Sequence, residues 1–271
     1  MSRWYWAGLA AVSIGVILVP GFFAPEHLSP SDLAMKYASP GGMPPFGADA
    51  MGRPLFEYAM QGSRVIALPS IVAGLVVMLF AILGGLLACT GSHRLEALAR
   101  GFGELLGALP RMVVVLIVAL LMPADQRSLY PIALVWALLA APGAMDEASA
   151  VAGRLGGARF VEALRAHGFS RARIYLWHII GLNLRPVIAR QGVETLMQVV
   201  FLEIALSYLA LQDTQPSFTH GDSEMSWADL LYLGYQAFLD VPTWHAMQLG
   251  VGLVGVVALA TVCVSAAVRP R

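Results

Sequence analysis

Six long apolar runs, separated by polar segments, restrict the fold of this chain more than any other feature of its sequence. The runs cover residues 5–23, 65–89, 104–122, 130–149, 186–211 and 242–268. A helix needs about 20 apolar residues to cross the hydrocarbon core of a bilayer, and each run has about that length. The composition, 58% hydrophobic and 13% charged, is that of a polytopic membrane protein. We therefore expect an all-α membrane protein with six transmembrane helices.

The runs divide the chain into an N-terminal span, a polar segment and a core, which cover residues 1–23, 24–64 and 65–271. The first run is interpreted as a retained span, because no clear small-x-small cleavage site precedes Pro25; a cleaved signal peptide is the alternative. The polar segment is rich in Pro and Gly. Within it, Pro54 suits the first turn of a short surface helix that ends near Gln61.

Basic residues indicate how the spans are oriented. With the N-terminus placed in the cytoplasm, twelve of the seventeen Lys and Arg residues lie in cytoplasmic segments, four lie outside, and Arg111 lies within a run. The positive-inside rule favours this arrangement. It places both chain termini and the loop of residues 150–185 in the cytoplasm, and the loop of residues 212–241 outside.

Motifs for enzymatic chemistry are absent from the sequence. There is no Gly-Lys pair, and therefore no P-loop to hold nucleotide phosphates. The patterns H-E-x-x-H, C-x-x-C and G-x-S-x-G do not occur either. The formal net charge is zero, so bulk electrostatics give no reason to expect nucleic acid as a partner. We predict a chain that is not an enzyme and holds no cofactor or metal of its own.

One face of the fifth run carries polar side chains. They are Arg190, Gln191, Glu194 and Gln198, which fall within about 100° of each other on a helix of 3.6 residues per turn. Polar groups within a membrane usually face a bundle interior or a water-filled path. A translocation path lined by these residues is one interpretation, and an interfacial Arg190–Glu194 ion pair is the other. Glu203 lies on the opposite face, where we expect a hydrogen bond between helices.

The most specific motif lies in the Arg-rich stretch Phe160–Pro186, between the fourth and fifth runs. Gly168 lies where two short helices would need a tight turn, and glycine takes a positive φ there at little cost. Ser170 is a suitable N-cap for the second helix, which begins RARIYLWH. The stretch therefore predicts a helix–turn–helix exposed to a soluble partner.

This stretch resembles the EAA loop of ABC-transporter permeases, most closely the branch that imports dipeptides, oligopeptides and nickel, which reads roughly EAAxxxGASxxRIxxRHILPN. The matching residues are Glu162, Ala163, Gly168, Ser170, Arg173, Ile174, His178 and Ile179. The departures are Leu164, Phe169, Trp177 and the pair Ile180-Gly181.

Further stretches resemble the same family. PPFGADAMGRPLFEYAMQGSR, which ends at Arg64, is similar to HPLGTDELGRDVLSRLIYGAR, with Ala48 and Pro54 as departures. The matches are Phe46, Gly47, Asp49, Gly52, Arg53, Gly62 and Arg64. LEIALSYLALQ is similar to LxEAxLSFLGLG, and MSWADLL is similar to PSWGxML. The resemblance extends in separate stretches from residue 44 towards the C-terminus.

The resemblance implies a permease subunit of an ATP-driven importer in the bacterial inner membrane, for peptides or a related small solute such as a nickel or other metal chelate. It implies a second homologous permease, two ABC ATPase subunits that hold ATP and magnesium, and a periplasmic solute-binding protein. The residues implied to couple to the ATPases are Glu162, Ala163, Leu164, His167, Gly168 and Ser170. The alternatives are a stand-alone secondary transporter, against which no inverted repeat is evident, and a membrane enzyme, against which no catalytic set is found.

The outer loop, residues 212–241, is acidic and contains no Lys or Arg. Its acidic residues are Asp213, Asp222, Glu224, Asp229 and Asp240, and their mutual repulsion predicts a solvated loop. We expect Asp222 and Glu224 to contact the binding protein on the periplasmic side; the alternative is a loop that is acidic because basic residues are kept inside. Trp227, Tyr232 and Trp244 are expected to anchor the flanks at the membrane interface.

Overall fold

The computed structural model describes residues 3–90, 93–123, 128–212, 225–240 and 244–268. Within these ranges the secondary structure is helical, apart from an isolated bridge between Ala48 and Pro54. The α-helices are α1 (Arg3–Phe22), α2 (Leu55–Thr90), α3 (His93–Gly107), α4 (Arg111–Leu121), α5 (Leu129–Gly156), α6 (Arg159–Ala166), α7 (Arg171–Arg173), α8 (Arg185–Gln212), α9 (Trp227–Asp240) and α10 (His245–Val268). A π-helical segment, Ile174–Leu184, joins α7 to α8, and a 3₁₀ turn covers Leu33–Met35.

Among the described residues, five helices are long and apolar enough to cross a membrane, or six if α3 and α4 are counted as one bent span. The five are Trp4–Phe22, Leu55–Ala88, Leu129–Gly156, Arg171–Leu209 and His245–Ala267. Large apolar side chains such as Val12, Leu79 and Val262 are exposed along these helices, as expected where a helix faces lipid tails that are themselves apolar. The predicted all-α membrane fold is confirmed.

The third apolar run forms two helices where the sequence predicts one span over 104–122. α3 ends at Gly107 and α4 begins at Arg111, with a bend of 72° between them. Pro110 lies in this break. Because proline has no N–H to donate to the preceding turn, and disfavours the α conformation in the residue before it, a helix ends there readily.

The second run begins earlier than the sequence indicates. The short surface helix expected to end near Gln61 is the first part of α2, which continues without a break to Thr90. Gly62 stays helical although glycine weakens a helix by about 1 kcal/mol, because the side chain of Trp227 packs against it. The boundary expected after residue 64, between the polar segment and the core, therefore lies inside α2.

The fifth run also begins earlier than expected. The sequence places its start near residue 186, whereas α7, the π-helical segment and α8 form one candidate span from Arg171 to Leu209. Pro186 lies directly after the π-helical segment, in the first turn of α8, and has no N–H to donate to the preceding turn. In the turn before, the side-chain amide of Asn183 donates to the carbonyl oxygen of His178 at 2.6 Å, which follows the five-residue spacing of a π-helix.

The chain forms two compact units, with boundaries that fall within α2, α4, α5, α8 and α10. The first unit consists of Met1–Ile71, Leu116–Ala133 and Met197–Ala267. The second unit consists of Val72–Val115, Leu134–Leu196 and Val268–Arg271. Each has its own buried apolar residues, for example Ile17 and Ile66 in the first and Val77 and Ile179 in the second.

In the first unit, the turn that leads into α2 is organised by the carboxylate of Asp49. Its Oδ1 accepts two backbone N–H groups from the turn that follows, both at 2.8 Å, and its Oδ2 accepts the hydroxyl of Tyr58 at 2.5 Å. Gly52 has φ of +73°, and a methyl group there would collide with the backbone of Asp32. Asp49 and Gly52, which match the family pattern in the stretch that ends at Arg64, therefore each have a local structural role.

Also in the first unit, α9 is fixed to α2 by Trp227. Its indole N–H donates to the carbonyl oxygen of Ala59 at 2.9 Å, and the side chain is fully buried. A methyl group at Gly62 would overlap the indole ring, so the small residue creates the space for it. The prediction that Trp227 anchors the chain at the membrane interface is wrong. The exposed Trp244 still fits that role.

In the second unit, glycines bring helices close together. A methyl group at Gly74 of α2 would lie 2.7 Å from the carbonyl oxygen of Gly192 in α8, and one at Gly84 would lie 2.6 Å from the Cα of Met145 in α5. Close backbone approach of this kind is how helices pack where lipid gives no hydrophobic driving force. These crossings fix α2 against both α5 and α8, the helices that carry the polar residues described next.

Candidate functional site

The turn after α6 has the conformation that the sequence predicts. Gly168 has φ of +80°, its N–H donates to the carbonyl oxygen of Arg165 at 2.9 Å, and the N–H of Phe169 donates to that of Leu164 at 3.1 Å. These two hydrogen bonds form a Schellman motif, which satisfies carbonyl groups at the end of the helix. Ser170 follows as the predicted N-cap, and its hydroxyl accepts the N–H of Arg173 at 3.3 Å.

α6 buries one residue, and most of its other residues are exposed. Val161 is the buried residue of this helix, Glu162 and Ala163 are exposed, and Leu164 is half-buried. His167 caps the helix, is exposed, and has its Nδ1 at 2.8 Å from the carbonyl oxygen of Ala163. A short helix attached along one edge leaves most of its surface free to contact another protein.

Side chains on both sides of the turn hold it in place. The guanidinium carbon of Arg173 lies 5.0 Å from the ring centroid of Phe169, and the rings of Phe169 and His178 make an edge-to-face contact at 5.6 Å. Arg165 also donates to the hydroxyl of Tyr175 at 3.4 Å. Phe169, which departs from the family pattern, lies between Arg173 and His178 and contacts both. A cation over an aromatic face at an exposed site contributes about 0.5–1 kcal/mol.

A polar cluster, Glu147, Arg190, Gln191 and Glu194, lies between α5 and α8 in the second unit. Arg190 donates through Nη1 to Oε1 of Glu194 at 3.3 Å and through Nη2 to Oε1 of Glu147. Gln191 donates through Nε2 to Oε2 of Glu147. The side chains of Arg190, Glu147 and Glu194 keep 29%, 35% and 26% of their surface exposed. The charged groups of the cluster are therefore only partly buried.

Three residues of the predicted polar face of the fifth run lie in this cluster. Arg190, Gln191 and Glu194 share the cluster, and the predicted Arg190–Glu194 ion pair is present within it. Gln198, one turn further along α8, is exposed and takes no part in these three hydrogen bonds.

Glu147 is the residue that sequence reasoning missed. It lies near the end of the fourth apolar run, 43 residues before Arg190. A signal for it does exist, because an ionisable residue in a membrane helix usually faces the bundle interior and pairs with another ionisable residue or with a backbone carbonyl. The sequence alone does not show that Arg190 of the fifth run is that partner.

Glu203, on the other face of α8, lies in the first unit and is fully buried. Its Oε1 accepts the hydroxyl of Ser207 at 2.8 Å. This hydrogen bond joins two residues one turn apart within α8, and the predicted bond between helices stays a prediction.

The acidic outer loop is described only in part. Asp222 and Glu224, the predicted contacts for a binding protein, lie outside the described residues. Asp229, predicted to be solvated, is buried. Its Oδ2 accepts the N–H of Ser226 at 2.5 Å, while the Ser226 hydroxyl accepts the N–H of Ala228 at 3.1 Å. Both side chains therefore cap the N-terminus of α9, so the prediction is wrong for Asp229, which has a structural role.

Comparison with known proteins gives one informative relative. No family model matches the chain. The chain is similar to the probable D,D-dipeptide transport system permease protein of Escherichia coli (strain K12), with 27% identity over 220 residues, which cover 78% of this chain and 71% of the relative. The resemblance to peptide-importer permeases inferred from the motifs is confirmed by this relative.

Proposed function

We propose that this chain is a transmembrane permease subunit of an ATP-driven importer that carries dipeptides or related short peptides across the bacterial inner membrane. The observation that carries the proposal is the exposed, capped α6 and its glycine turn, which lie directly before a long apolar helix. The D,D-dipeptide permease, similar over most of this chain, supports the peptide as the transported solute.

The partners in this proposal are a second homologous permease, two ABC ATPase subunits that bind ATP and magnesium, and a periplasmic solute-binding protein. The ATPases contact α6 and its turn through Glu162, Ala163, Leu164, His167, Gly168 and Ser170. Both chain termini then lie in the cytoplasm, in agreement with the positive-inside distribution of Lys and Arg.

Coupling follows from the way the turn is attached. The Schellman hydrogen bonds, the Ser170 cap and the contacts of Phe169 with Arg173 and His178 connect α6 to the helical run that starts at Arg171. Because each of these contacts restricts rotation at the turn, a movement of α6 is passed to that run as a rigid-body displacement. Rigid-body movement of packed helices is a general route between two states of a transporter.

The polar cluster is part of the translocation path in this proposal, and Gln198 remains a predicted lining residue of that path. Arg190, Gln191 and Glu194 lie on a membrane-spanning helix, are partly exposed, and make hydrogen bonds with Glu147 on another. Ionisable residues at membrane depth usually face a water-filled cavity when they are functional.

The proposal is tested by reconstituting the chain with its second permease, its ATPases and its binding protein in proteoliposomes. We expect ATP-dependent uptake of a labelled dipeptide that requires the binding protein. Uptake of a nickel chelate in place of the dipeptide would change the solute class and leave the permease function standing. Uptake by this chain alone, driven by an ion gradient without ATP, would contradict the proposal and favour a secondary transporter.

A further inference from the structure

The polar cluster contains one more carboxylate than it has cations. Glu147 and Glu194 both pair with the single guanidinium of Arg190, and Gln191 adds a neutral amide. The neighbouring carboxylate on α5, Asp146, lines a separate, largely apolar cavity of about 780 Å³ between α2, α3 and α5. An uncompensated negative charge between apolar helices is costly unless water or a cation reaches it. The cluster therefore favours a solute that carries a positive charge.

The two carboxylates are held unequally by their neighbours. Glu147 uses both oxygens, one towards Arg190 and the other towards Gln191. Among the residues that the structure describes, Glu194 accepts one hydrogen bond, from Arg190, at 3.3 Å. A hydrogen bond between two charged groups is usually about 2.7–2.9 Å long, and a carboxylate can accept about four. Glu194 therefore has most of its accepting capacity available.

We infer that Glu194 is a specificity-determining residue that receives the protonated amino group of the transported peptide. Glu147 is a positioning residue, because its hold on Arg190 prevents the guanidinium from turning fully towards Glu194. This inference rests on the proposed function, since it concerns the solute of the same path. A primary ammonium has three N–H donors and one positive charge, which match the open lone pairs of Glu194 and the excess charge of the cluster.

The test compares two ligands that differ only in the amino group: alanyl-alanine and its N-acetyl derivative. Equilibrium binding is measured on the purified assembly of the two permeases and two ATPases, without the binding protein, so that selection by that protein does not contribute. A hydrogen bond to a charged group predicts that the wild type binds alanyl-alanine about 10- to 100-fold more tightly than the acetylated peptide.

The variants separate a contact from a structural role. We expect Glu194→Gln to reduce the ratio of the two affinities to near one with no change in the affinity for the acetylated peptide, and Glu194→Asp to restore part of the ratio. Glu147→Gln should lower the ratio as well, because Arg190 can then turn fully towards Glu194 and occupy more of its lone pairs. Asp146→Asn removes the adjacent carboxylate on α5, which lies outside the cluster, and should leave the ratio unchanged.

Several outcomes would overturn the inference. They are an unchanged ratio in Glu194→Gln, a wild type that binds both peptides equally, and a wild type that does not bind alanyl-alanine at all. Uptake of dipeptide by the complete assembly in proteoliposomes decides the proposed function separately. If the complete assembly takes up the dipeptide but Glu194→Gln leaves the ratio of the two affinities unchanged, the permease function stands and the role inferred for Glu194 is wrong.

Discussion

Replacement of Gly168 tests whether the backbone conformation of the turn is what coupling requires. Its φ is +80°, and a Cβ added at this position would meet no atom within 4 Å. A substitution therefore introduces backbone strain and no collision. For most residues the left-handed region costs about 1–2 kcal/mol, whereas asparagine adopts it readily. A β-branched residue is the least suited to it, with a cost of up to about 3 kcal/mol.

These costs predict a graded series. If the ATPase recognises only the ordered turn, a penalty of about 1–3 kcal/mol weakens its apparent affinity for the permease by about 5- to 150-fold. Gly168→Asn should remain near the wild type, Gly168→Ala should be intermediate, and Gly168→Val should be the weakest. The apolar spans are unchanged in all three, so membrane insertion is expected to be normal.

The assay is ATP-dependent dipeptide uptake in proteoliposomes, measured as a function of the concentration of ATPase subunits. Gly153 provides a matched control, because it lies within α5, has no positive φ, and also has no atom within 4 Å of an added Cβ. Gly153→Ala should leave the half-maximal concentration unchanged. The reasoning is refuted if Gly168→Val behaves as the wild type, or if Gly168→Asn is as defective as Gly168→Val.

Three further predictions concern packing and charge. Trp227→Ala should lower the stability of the detergent-solubilised protein by about 3–5 kcal/mol, because a fully buried indole is removed; thermal unfolding measures this. Gly74→Val should also lower the unfolding temperature, because its side chain would meet the backbone of α8. Changing Asp222 and Glu224 together to Asn and Gln should slow delivery from a basic binding-protein surface at low salt and have little effect at high salt.

Each of these has a control or a contradicting result. Trp244, which is exposed, is the matched tryptophan, and Trp244→Ala should have a much smaller effect on unfolding than Trp227→Ala. An unfolding temperature of Gly74→Val equal to that of the wild type would argue against close packing of α2 on α8. If the double acidic variant matches the wild type at every ionic strength, the loop is acidic only because basic residues are kept on the other side.

Local features of this protein could be predicted from the sequence because neighbouring residues determine them. The apolar runs predict membrane helices, since the backbone must satisfy its own hydrogen bonds within lipid. The positive φ of Gly168 and the N-cap at Ser170 follow from the few residues around each position, and both are present. The ion pair of Arg190 with Glu194 is likewise set by a spacing of four residues within one helix.

Only the tertiary structure decided which distant residues meet. The pairing of Glu147 with Arg190 joins residues 43 positions apart, and the burial of Trp227 against Ala59 joins residues 168 positions apart. Neither pairing leaves a periodic signal in the sequence, because each depends on how helices cross. The way the helices cross depends on glycines such as Gly62. Because Gly62 has no side chain, it leaves the space that the indole of Trp227 fills.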